Sequence, residues 1–86
     1  MKVSIEITLT PLQDDYELAI KAFIRKLRET SFDVHENPLS TQVYGELRPL
    51  MDTLTLLIEE SFDAIAAGMI HLKIVKTDRS NYVPFH

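Results

Sequence analysis

Residues 2–9 alternate strictly between apolar and polar side chains. Successive side chains of a strand point to opposite faces of a sheet, so the alternation predicts a half-buried strand rather than a helix. The apolar set is Val3, Ile5, Ile7 and Leu9, and the polar set is Ser4, Glu6 and Thr8. One face of this strand must therefore be covered by other elements of the chain.

The remaining chain divides into helical periods and further strand-like runs. Residues 10–13 offer a capping box for a first helix, with Asp14 as an alternative cap, and Gly68 is placed to end a second helix. Helices are predicted over 14–30 and 49–67, and strands over 2–9, 32–37, 41–47 and 69–76. The predicted order is β-α-β-β-α-β.

This order predicts an α+β, ferredoxin-like domain in which two helices cover one face of a four-stranded antiparallel sheet. The expected spatial order of the strands is 4-1-3-2, which places the first strand in the centre. We assign residues 1–76 to this single domain and residues 77–86 to a C-terminal tail without a clear period. The side chains expected beneath the helices are Val3, Ile5, Ile7, Leu9, Val43, Leu47, Ile70, Leu72 and Ile74.

The opposite face of the sheet, here called the open face, cannot be reached by helices on the first face. It carries a mixed set of side chains, so it is either solvated or covered by a second subunit. The expected members are Ser4, Glu6, Thr8, Gln42, Tyr44, Glu46, His71, Lys73 and Val75.

Charge and composition restrict the partners. The chain of 86 residues has 13 acidic and 9 basic residues, a net charge of −4 and no cysteine. An acidic chain without a basic run argues against binding of nucleic acid or of an anionic membrane. The longest apolar run, residues 64–70, is far short of the ~20 residues of a membrane span, and Glu6 interrupts the apolar stretch that a signal peptide needs. We therefore expect a soluble, cytoplasmic protein.

Motifs for catalysis, cofactors or metals are missing from the sequence. Two glycines do not suffice for a Walker loop or a dinucleotide fingerprint, and no serine lies in a G-x-S-x-G context. The three histidines lack zinc-site spacing, and the adjacent acids at 14–15 and 59–60 would diverge on a helix. We predict no enzyme activity, no catalytic residues, no metal site and no cofactor.

Two residues need an explanation beyond a solvated sheet. Glu6 projects from a central strand, where burial of an unpaired carboxylate would cost several kcal/mol. Gly45 is alone within a strand, which is typical of a bulge or of a close approach by a ligand or another backbone. Because Gly45 falls on the helix side, we assign it first to a bulge or tight packing.

Three segments resemble the thiamine-binding protein family, the YkoF-like small proteins of ferredoxin-like fold. These segments are Asn37–Glu46, Glu6 within residues 4–7, and residues 11–16, and the resemblance covers residues 2–76. It implies a non-enzymatic protein that binds thiamine or its hydroxymethylpyrimidine moiety and assembles as a homodimer or homotetramer. The alternative is a structural or regulatory oligomerisation module without a small-molecule ligand.

An aminopyrimidine can donate from its exocyclic amine to a carboxylate, which makes the acids of the open face the first ligand candidates. Glu6 is the first choice and Glu46 the alternative. Ser40 and Thr41 can exchange hydrogen bonds with a ligand, and Asn37 can bind or stabilise its turn. Tyr44 can stack on the ligand or pack against a second sheet. The predicted ligand-binding set is Glu6, Asn37, Ser40, Thr41, Tyr44 and Glu46.

Overall fold

The structure is a computed structural model that describes residues 1–83. Its elements are β1 (Lys2–Pro11), α1 (Tyr16–Arg28), β2 (Asp33–Glu36), β3 (Thr41–Glu46), α2 (Leu47–Asp63) and β4 (Gly68–Lys76). All neighbouring strands are antiparallel, and their order is β2-β3-β1-β4, which is the predicted 4-1-3-2 order read from the opposite edge. The α+β ferredoxin-like fold is therefore confirmed.

The core lies between the sheet and the two helices. Both helices pack on one face of the sheet and contact each other. β1 and β3 supply one side of the core because their alternating apolar residues all point toward the helices. The buried apolar residues are Val3, Ile5, Ile7, Leu9 and Val43 from the sheet, Phe23 and Leu27 from α1, and Leu50, Leu54 and Leu57 from α2.

β4 departs from the predicted burial. Leu72 pairs with Ile7 and Ile74 pairs with Ile5, so both side chains do lie on the helix side of the sheet. They are nevertheless 36% and 46% exposed, whereas Ile5 and Ile7 are almost completely buried. β4 is the last strand of the sheet, and nothing within residues 1–83 covers its outer flank. The face predicted for Leu72 and Ile74 is thus correct, but the prediction that the helices bury these side chains is wrong.

The predicted end of the first strand and start of the first helix are also wrong. β1 continues to Pro11, and Leu12 N donates to Ala67 O at 2.9 Å, so residues 10–11 belong to the sheet and cannot cap a helix. Gln13 holds the following loop instead, because its Nε2 donates to Asp15 Oδ1 at 2.5 Å and its Oε1 accepts from Ala66 N at 2.9 Å. α1 accordingly begins at Tyr16, and Asp15 makes no side-chain capping hydrogen bond.

The second helix begins and ends earlier than predicted. α2 follows β3 directly at Leu47, which places Pro49 in the first turn, where a missing N–H is tolerated. It ends at Asp63, so Gly68 begins β4 instead of terminating the helix. Within residues 1–83, neither helix combines the length and the apolar character that a bilayer span requires.

Gly45 is explained by tight packing. Its pairing with Val3 lies in an unbroken β1–β3 register, so the strand has no bulge there. A Cβ atom built on Gly45 would lie 2.6 Å from Cδ1 of Phe32, which is far inside van der Waals contact. The absence of a side chain at this position therefore makes room for the Phe32 ring.

We expect Gly45→Ala to lower the free energy of unfolding by about 1–3 kcal/mol, because the added methyl group overpacks this contact. Urea denaturation followed by circular dichroism measures the change. The control is the same substitution in a Phe32→Leu background, where the smaller side chain should remove most of the additional cost. An unchanged urea midpoint for Gly45→Ala alone would contradict the packing explanation.

Candidate functional site

The open face is defined by the strand register around Glu6. Glu6 on β1 is paired with Gln42 on β3 and with Lys73 on β4. Two residues earlier on β1, and on the same face, Ser4 is paired with Tyr44 and with Val75. Because paired residues share a face, the central part of the open face presents a carboxylate flanked by an amide and an ammonium group.

Glu6 ends a continuous chain of polar side chains. Ser40 Oγ donates to Glu6 Oε2 at 3.0 Å, and Gln42 Nε2 donates to Ser40 Oγ at 2.8 Å. Asn37 Nδ2 in turn donates to Gln42 Oε1. The turn between β2 and β3 thereby orients one oxygen of Glu6, and three of the predicted ligand residues, Glu6, Asn37 and Ser40, are brought together.

The second oxygen of Glu6 is held less firmly. Its Oε1 lies 3.9 Å from Lys73 Nζ, and the Lys73 side chain is 72% exposed. The Glu6 side chain itself is 44% exposed, so its charge is not buried as an unpaired carboxylate would be. An exposed ion pair at this separation contributes little to stability, and a ligand amine can take the place of the Lys73 ammonium.

Gln42 and Lys73 were expected on the open face but were missing from the predicted ligand set. Gln42 is the central link between Asn37 and Ser40, and Lys73 is the cation nearest Glu6 among the ion pairs of the described residues. The signal was present in the sequence, because strand alternation already put Gln42 on the same face as Tyr44. Only the pairing register shows that Gln42 and Lys73 flank Glu6.

Tyr44 lies beside this network and packs within its own chain. The rings of His35 and Tyr44 meet edge to face with centroids 4.9 Å apart, and His35 Nε2 lies 3.0 Å from Asp33 Oδ1. Burial and the carboxylates of Asp33 and Asp78 raise the pKa of the Tyr44 phenol. Tyr44 is diagonal to Glu6 across the β1–β3 pair, a relation that separates residues by about 7–8 Å.

The beginning of the predicted tail folds back over one end of the open face. Ser4 Oγ donates to Thr77 O and accepts from Arg79 N, both at 2.8 Å. Ser4 is only 8% exposed as a result. The open face is therefore covered in part by the chain itself. The sequence-based prediction considered only solvent or a second subunit on this face. The last three residues of the tail, 84–86, lie outside the described part of the chain.

Thr41 does not join the Glu6 cluster. It is paired with Ile7, so its side chain points to the helix side, and it is 4% exposed. It lines a cleft of about 180 Å³ between α1 and the β2–β3 turn, together with Ile20, Phe23, Pro38 and Leu39. The side chains of Ser40 and Thr41 thus lie on opposite faces of the sheet, because neighbours in an extended chain point in opposite directions.

Glu46 is also separate from the Glu6 cluster. It pairs with Lys2, four residues before Glu6 on β1, which corresponds to about 13 Å along the strand. Its Oε2 accepts from the Met1 ammonium group at 2.7 Å, and this contact lowers the pKa of the Glu46 carboxyl. Of the two acids proposed for the ligand, the structure thus places Glu6 with Asn37 and Ser40.

Comparison with known proteins gives a likeness of fold. No family model and no curated protein matches the chain. Among solved structures, a Streptococcus pneumoniae protein superimposes with a TM-score of 0.84 at 23% identity, with coverage of 95% of this chain and 93% of that chain. A Thermotoga maritima protein provisionally assigned to thiamine biosynthesis or salvage gives 0.81 at 23% identity, with coverage of 90% and 85%.

A domain of unknown function, DUF77, from Bacillus cereus gives a TM-score of 0.71 at 19% identity, with coverage of 98% of this chain and 83% of that chain. At these identities the similarity is one of fold. It extends over 93%, 85% and 83% of the Streptococcus pneumoniae, Thermotoga maritima and Bacillus cereus chains, respectively.

Proposed function

We propose that the open face binds thiamine or its hydroxymethylpyrimidine moiety around Glu6, without chemical turnover. The observation that carries the proposal is the chain of hydrogen bonds from Asn37 through Gln42 and Ser40 to Glu6. It fixes a carboxylate on a central strand with one oxygen oriented by the protein and the other near an exposed lysine. The fold shared with the Thermotoga maritima protein provisionally assigned to thiamine biosynthesis or salvage supports the choice of ligand.

The chemistry of a 4-aminopyrimidine suits these groups. Its exocyclic amine can donate to Glu6 Oε1 in place of the Lys73 ammonium, and the second N–H of the Gln42 amide can donate to a ring nitrogen. The Ser40 hydroxyl proton stays on Glu6 Oε2 and keeps that carboxylate oriented. Charge-assisted hydrogen bonds to a carboxylate are stronger than neutral ones, so Glu6 supplies most of the polar recognition. The thiazolium cation of intact thiamine is further favoured by the net charge of −4.

Tyr44 supplies an aromatic ring beside this position. Its diagonal relation to Glu6 leaves a span comparable to one pyrimidine ring between the carboxylate and the phenol. The edge contact with His35 holds the Tyr44 ring in place. We therefore propose that the Tyr44 ring contacts the bound ligand, either by stacking on the pyrimidine or by lying over the thiazolium cation. Such a contact contributes about 0.5–2 kcal/mol.

A second subunit completes the proposed site. Ligand pockets bury most of the surface of their ligand, whereas one face of a sheet contacts a planar ring from a single side. We propose that the open face of another copy covers the ligand, as a homodimer or homotetramer would allow. This assembly lets a short chain with a small core enclose a ligand that it cannot enclose alone.

Isothermal titration calorimetry of the full chain tests this function. We expect thiamine and hydroxymethylpyrimidine to bind with a dissociation constant of about 1–100 μM, which corresponds to roughly −8 to −5 kcal/mol. A pyrimidine that lacks the 4-amino group and the isolated thiazole alcohol are the matched control ligands, and both should bind at least tenfold more weakly. No heat from any ligand at millimolar concentration, with protein folded by circular dichroism, would reject the proposal.

The second candidate function is an oligomerisation module without a small ligand. It is favoured by the half-exposed Leu72 and Ile74 on the last strand of the sheet. Sedimentation equilibrium in the absence and presence of thiamine separates the two functions. Stable oligomers without any ligand effect favour the module, whereas a monomer at micromolar concentration excludes it.

A further inference from the structure

A groove, here called the α1–β2 groove, runs between α1 and the side of the sheet that carries β2 and the β2–β3 turn. It has two adjoining parts, and the first is the cleft of about 180 Å³ that contains Thr41. The second part has a volume of about 440 Å³. Ile20 and Ile24 on α1 line both parts, so the groove is continuous. The other residues that line the second part are Lys21, Arg25, Arg28 and Glu36.

The first part of the groove has the size and the character of a site for one aromatic ring. Phe23 lies in its wall and is 2% exposed, and Pro38 and Leu39 line it from the β2–β3 turn. Leu39 is 91% exposed and can therefore gain apolar contact from an occupant of the cleft. A cavity of about 150 Å³ lined by leucine, isoleucine and phenylalanine holds a benzene molecule. A single six-membered ring therefore matches this part of the groove.

Thr41 places a hydroxyl group in this otherwise apolar part. The residue is 4% exposed. Within residues 1–83 its hydroxyl makes no hydrogen bond, and it is not one of the fully enclosed oxygens either, so it is open to the cleft. Polar groups that folding removes from bulk water usually have a hydrogen-bond partner. A ligand with a polar atom on its ring supplies that partner.

The second part of the groove is basic. Lys21, Arg25 and Arg28 are four and three residues apart, which places them on one face of α1. Arg28 is already bound, because its Nη2 donates to Glu36 Oε1 at 2.7 Å and its Nε donates to Oε2 at 2.5 Å. Lys21 and Arg25 form no ion pair within residues 1–83. Two positive charges thus remain for an anion, a local exception to the net charge of −4.

We propose that the α1–β2 groove binds a small aromatic carboxylate. The ring lies in the cleft beside Phe23, where aromatic pairs pack favourably edge to face or offset. A polar substituent on the ring pairs with the Thr41 hydroxyl, and the carboxylate lies on Lys21 and Arg25. The planar guanidinium group of Arg25 matches a carboxylate with two parallel hydrogen bonds. Because the two parts of the groove adjoin at Ile20 and Ile24, a short side chain carries the carboxylate from one part to the other.

This site goes beyond the proposed function and does not depend on it. Thr41 points to the helix side of the sheet, whereas Glu6 lies on the open face. The ligands differ in charge as well, since Glu6 selects a donor or a cation and the groove selects an anion. The β2–β3 turn contributes residues to both sites. Residue-specific measurements therefore separate a failure of one site from a failure of the other.

Titration of the isotope-labelled full chain with para-hydroxyphenylacetate, followed by NMR proton–nitrogen correlation spectra, tests the site. We expect a dissociation constant of about 0.1–1 mM, with the largest shifts at amides of residues 20–25 and 37–41. Tyramine carries the same phenol ring with an ammonium group on its side chain, and it should bind at least ~10-fold more weakly. The absence of saturable shifts, equal affinity for tyramine, or shifts confined to the open face would overturn the proposal.

Two lysines on α1 provide a matched pair of variants. Lys21→Gln removes a charge from the groove and should weaken the binding of para-hydroxyphenylacetate by about 3- to 10-fold. Lys26→Gln is the same change on the same helix, but Lys26 Nζ lies 3.2 Å from Glu60 Oε2 on α2, away from the groove. Its affinity should stay within a factor of about two of the wild-type value. Equal losses in the two variants would show a general effect of charge and contradict the site.

Thr41→Val tests the depth at which the ring is bound. Valine keeps the branched shape that suits a strand and removes the hydroxyl group. The wild-type chain should bind para-hydroxyphenylacetate about 3- to 10-fold more tightly than phenylacetate, which lacks the ring hydroxyl. Thr41→Val should abolish this preference and leave the affinity for phenylacetate unchanged. A preference that survives in Thr41→Val, or no preference in the wild-type chain, would refute the contact with Thr41.

Discussion

Replacing Glu6 by glutamine should weaken the binding of thiamine and of hydroxymethylpyrimidine by about 10- to 100-fold. Glutamine keeps an acceptor oxygen but loses the negative charge, and a hydrogen bond to a charged group contributes about 1.5–3 kcal/mol. The fold should be preserved, because Glu6 is half exposed and its contact with Lys73 spans 3.9 Å. Titration calorimetry measures the affinity, and urea denaturation verifies that stability changes by less than about 1 kcal/mol.

Glu46→Gln is the matched control for this experiment. The chemical change is the same, and Glu46 lies on β3 beyond Tyr44, with its carboxylate on the Met1 ammonium group at 2.7 Å. Ligand affinity should stay within a factor of about two, because exposed charges ~13 Å apart are largely screened. An equal loss of affinity in both variants would indicate an effect of net charge. A loss confined to Glu46→Gln would move the site to the other end of the face.

Replacing Ile5 by alanine should lower the free energy of unfolding by about 2–5 kcal/mol, a large fraction of what a domain of this size possesses. Ile5 lies at the centre of β1 and is 0% exposed. Its removal leaves a cavity between the sheet and both helices that the core residues cannot fill. Chemical denaturation followed by far-ultraviolet circular dichroism gives the value, and the protein should be near its stability threshold at 37 °C.

Ile74→Ala is the corresponding change one strand away. Ile74 is paired directly with Ile5 and lies on the same face, but it is 46% exposed. We expect a cost of about 1 kcal/mol, since roughly half of the side chain is already in water. Both substitutions are measured at the same protein concentration. Similar costs at the two positions would show that β4 is covered as fully as β1.

Periodicity predicted the fold because each element repeats a simple physical rule. The alternation of residues 2–9 and the helical spacing after Tyr16 identify which side of each element is apolar, and one two-layer arrangement accommodates all of them. The predicted element boundaries were wrong where segments distant in sequence form hydrogen bonds with each other. Gln13 binds Ala66 N across 53 residues, and Leu12 bonds to Ala67, contacts that no local pattern contains.

The candidate site shows the same division. Strand parity placed Glu6 and Tyr44 on one face, and the register confirms that placement. Strand alternation could not select between Glu6 and Glu46, because both side chains lie on the same face of the sheet. The separation of the acids follows from how β1 and β3 align, which sets Gln42 rather than Glu46 opposite Glu6. Ser40 and Thr41, adjacent in sequence, are divided between the two faces by the geometry of an extended chain.

The coverage of the open face was not predictable from composition. Ser4 was expected to be one of several polar residues on that face, and it instead anchors residues 77–79 through two hydrogen bonds. These contacts join positions more than 70 residues apart and use a hydroxyl and backbone groups without any sequence signature. A small polar side chain can fix a returning segment only where the fold brings that segment within reach.

The sequence by itself determined the two periods of the chain, the faces of its elements and the presence of a carboxylate on the central strand, because these depend on neighbours along the backbone. The tertiary structure decided which of those side chains meet. Hydrogen bonds connect Asn37, Gln42, Ser40 and Glu6, whereas Thr41 and Glu46 lie apart from this group. The apolar side chains on the outer edge of β4 remain partly exposed. Strand register and the end of the helical layer set these outcomes, and both arise from packing between segments that are distant in sequence.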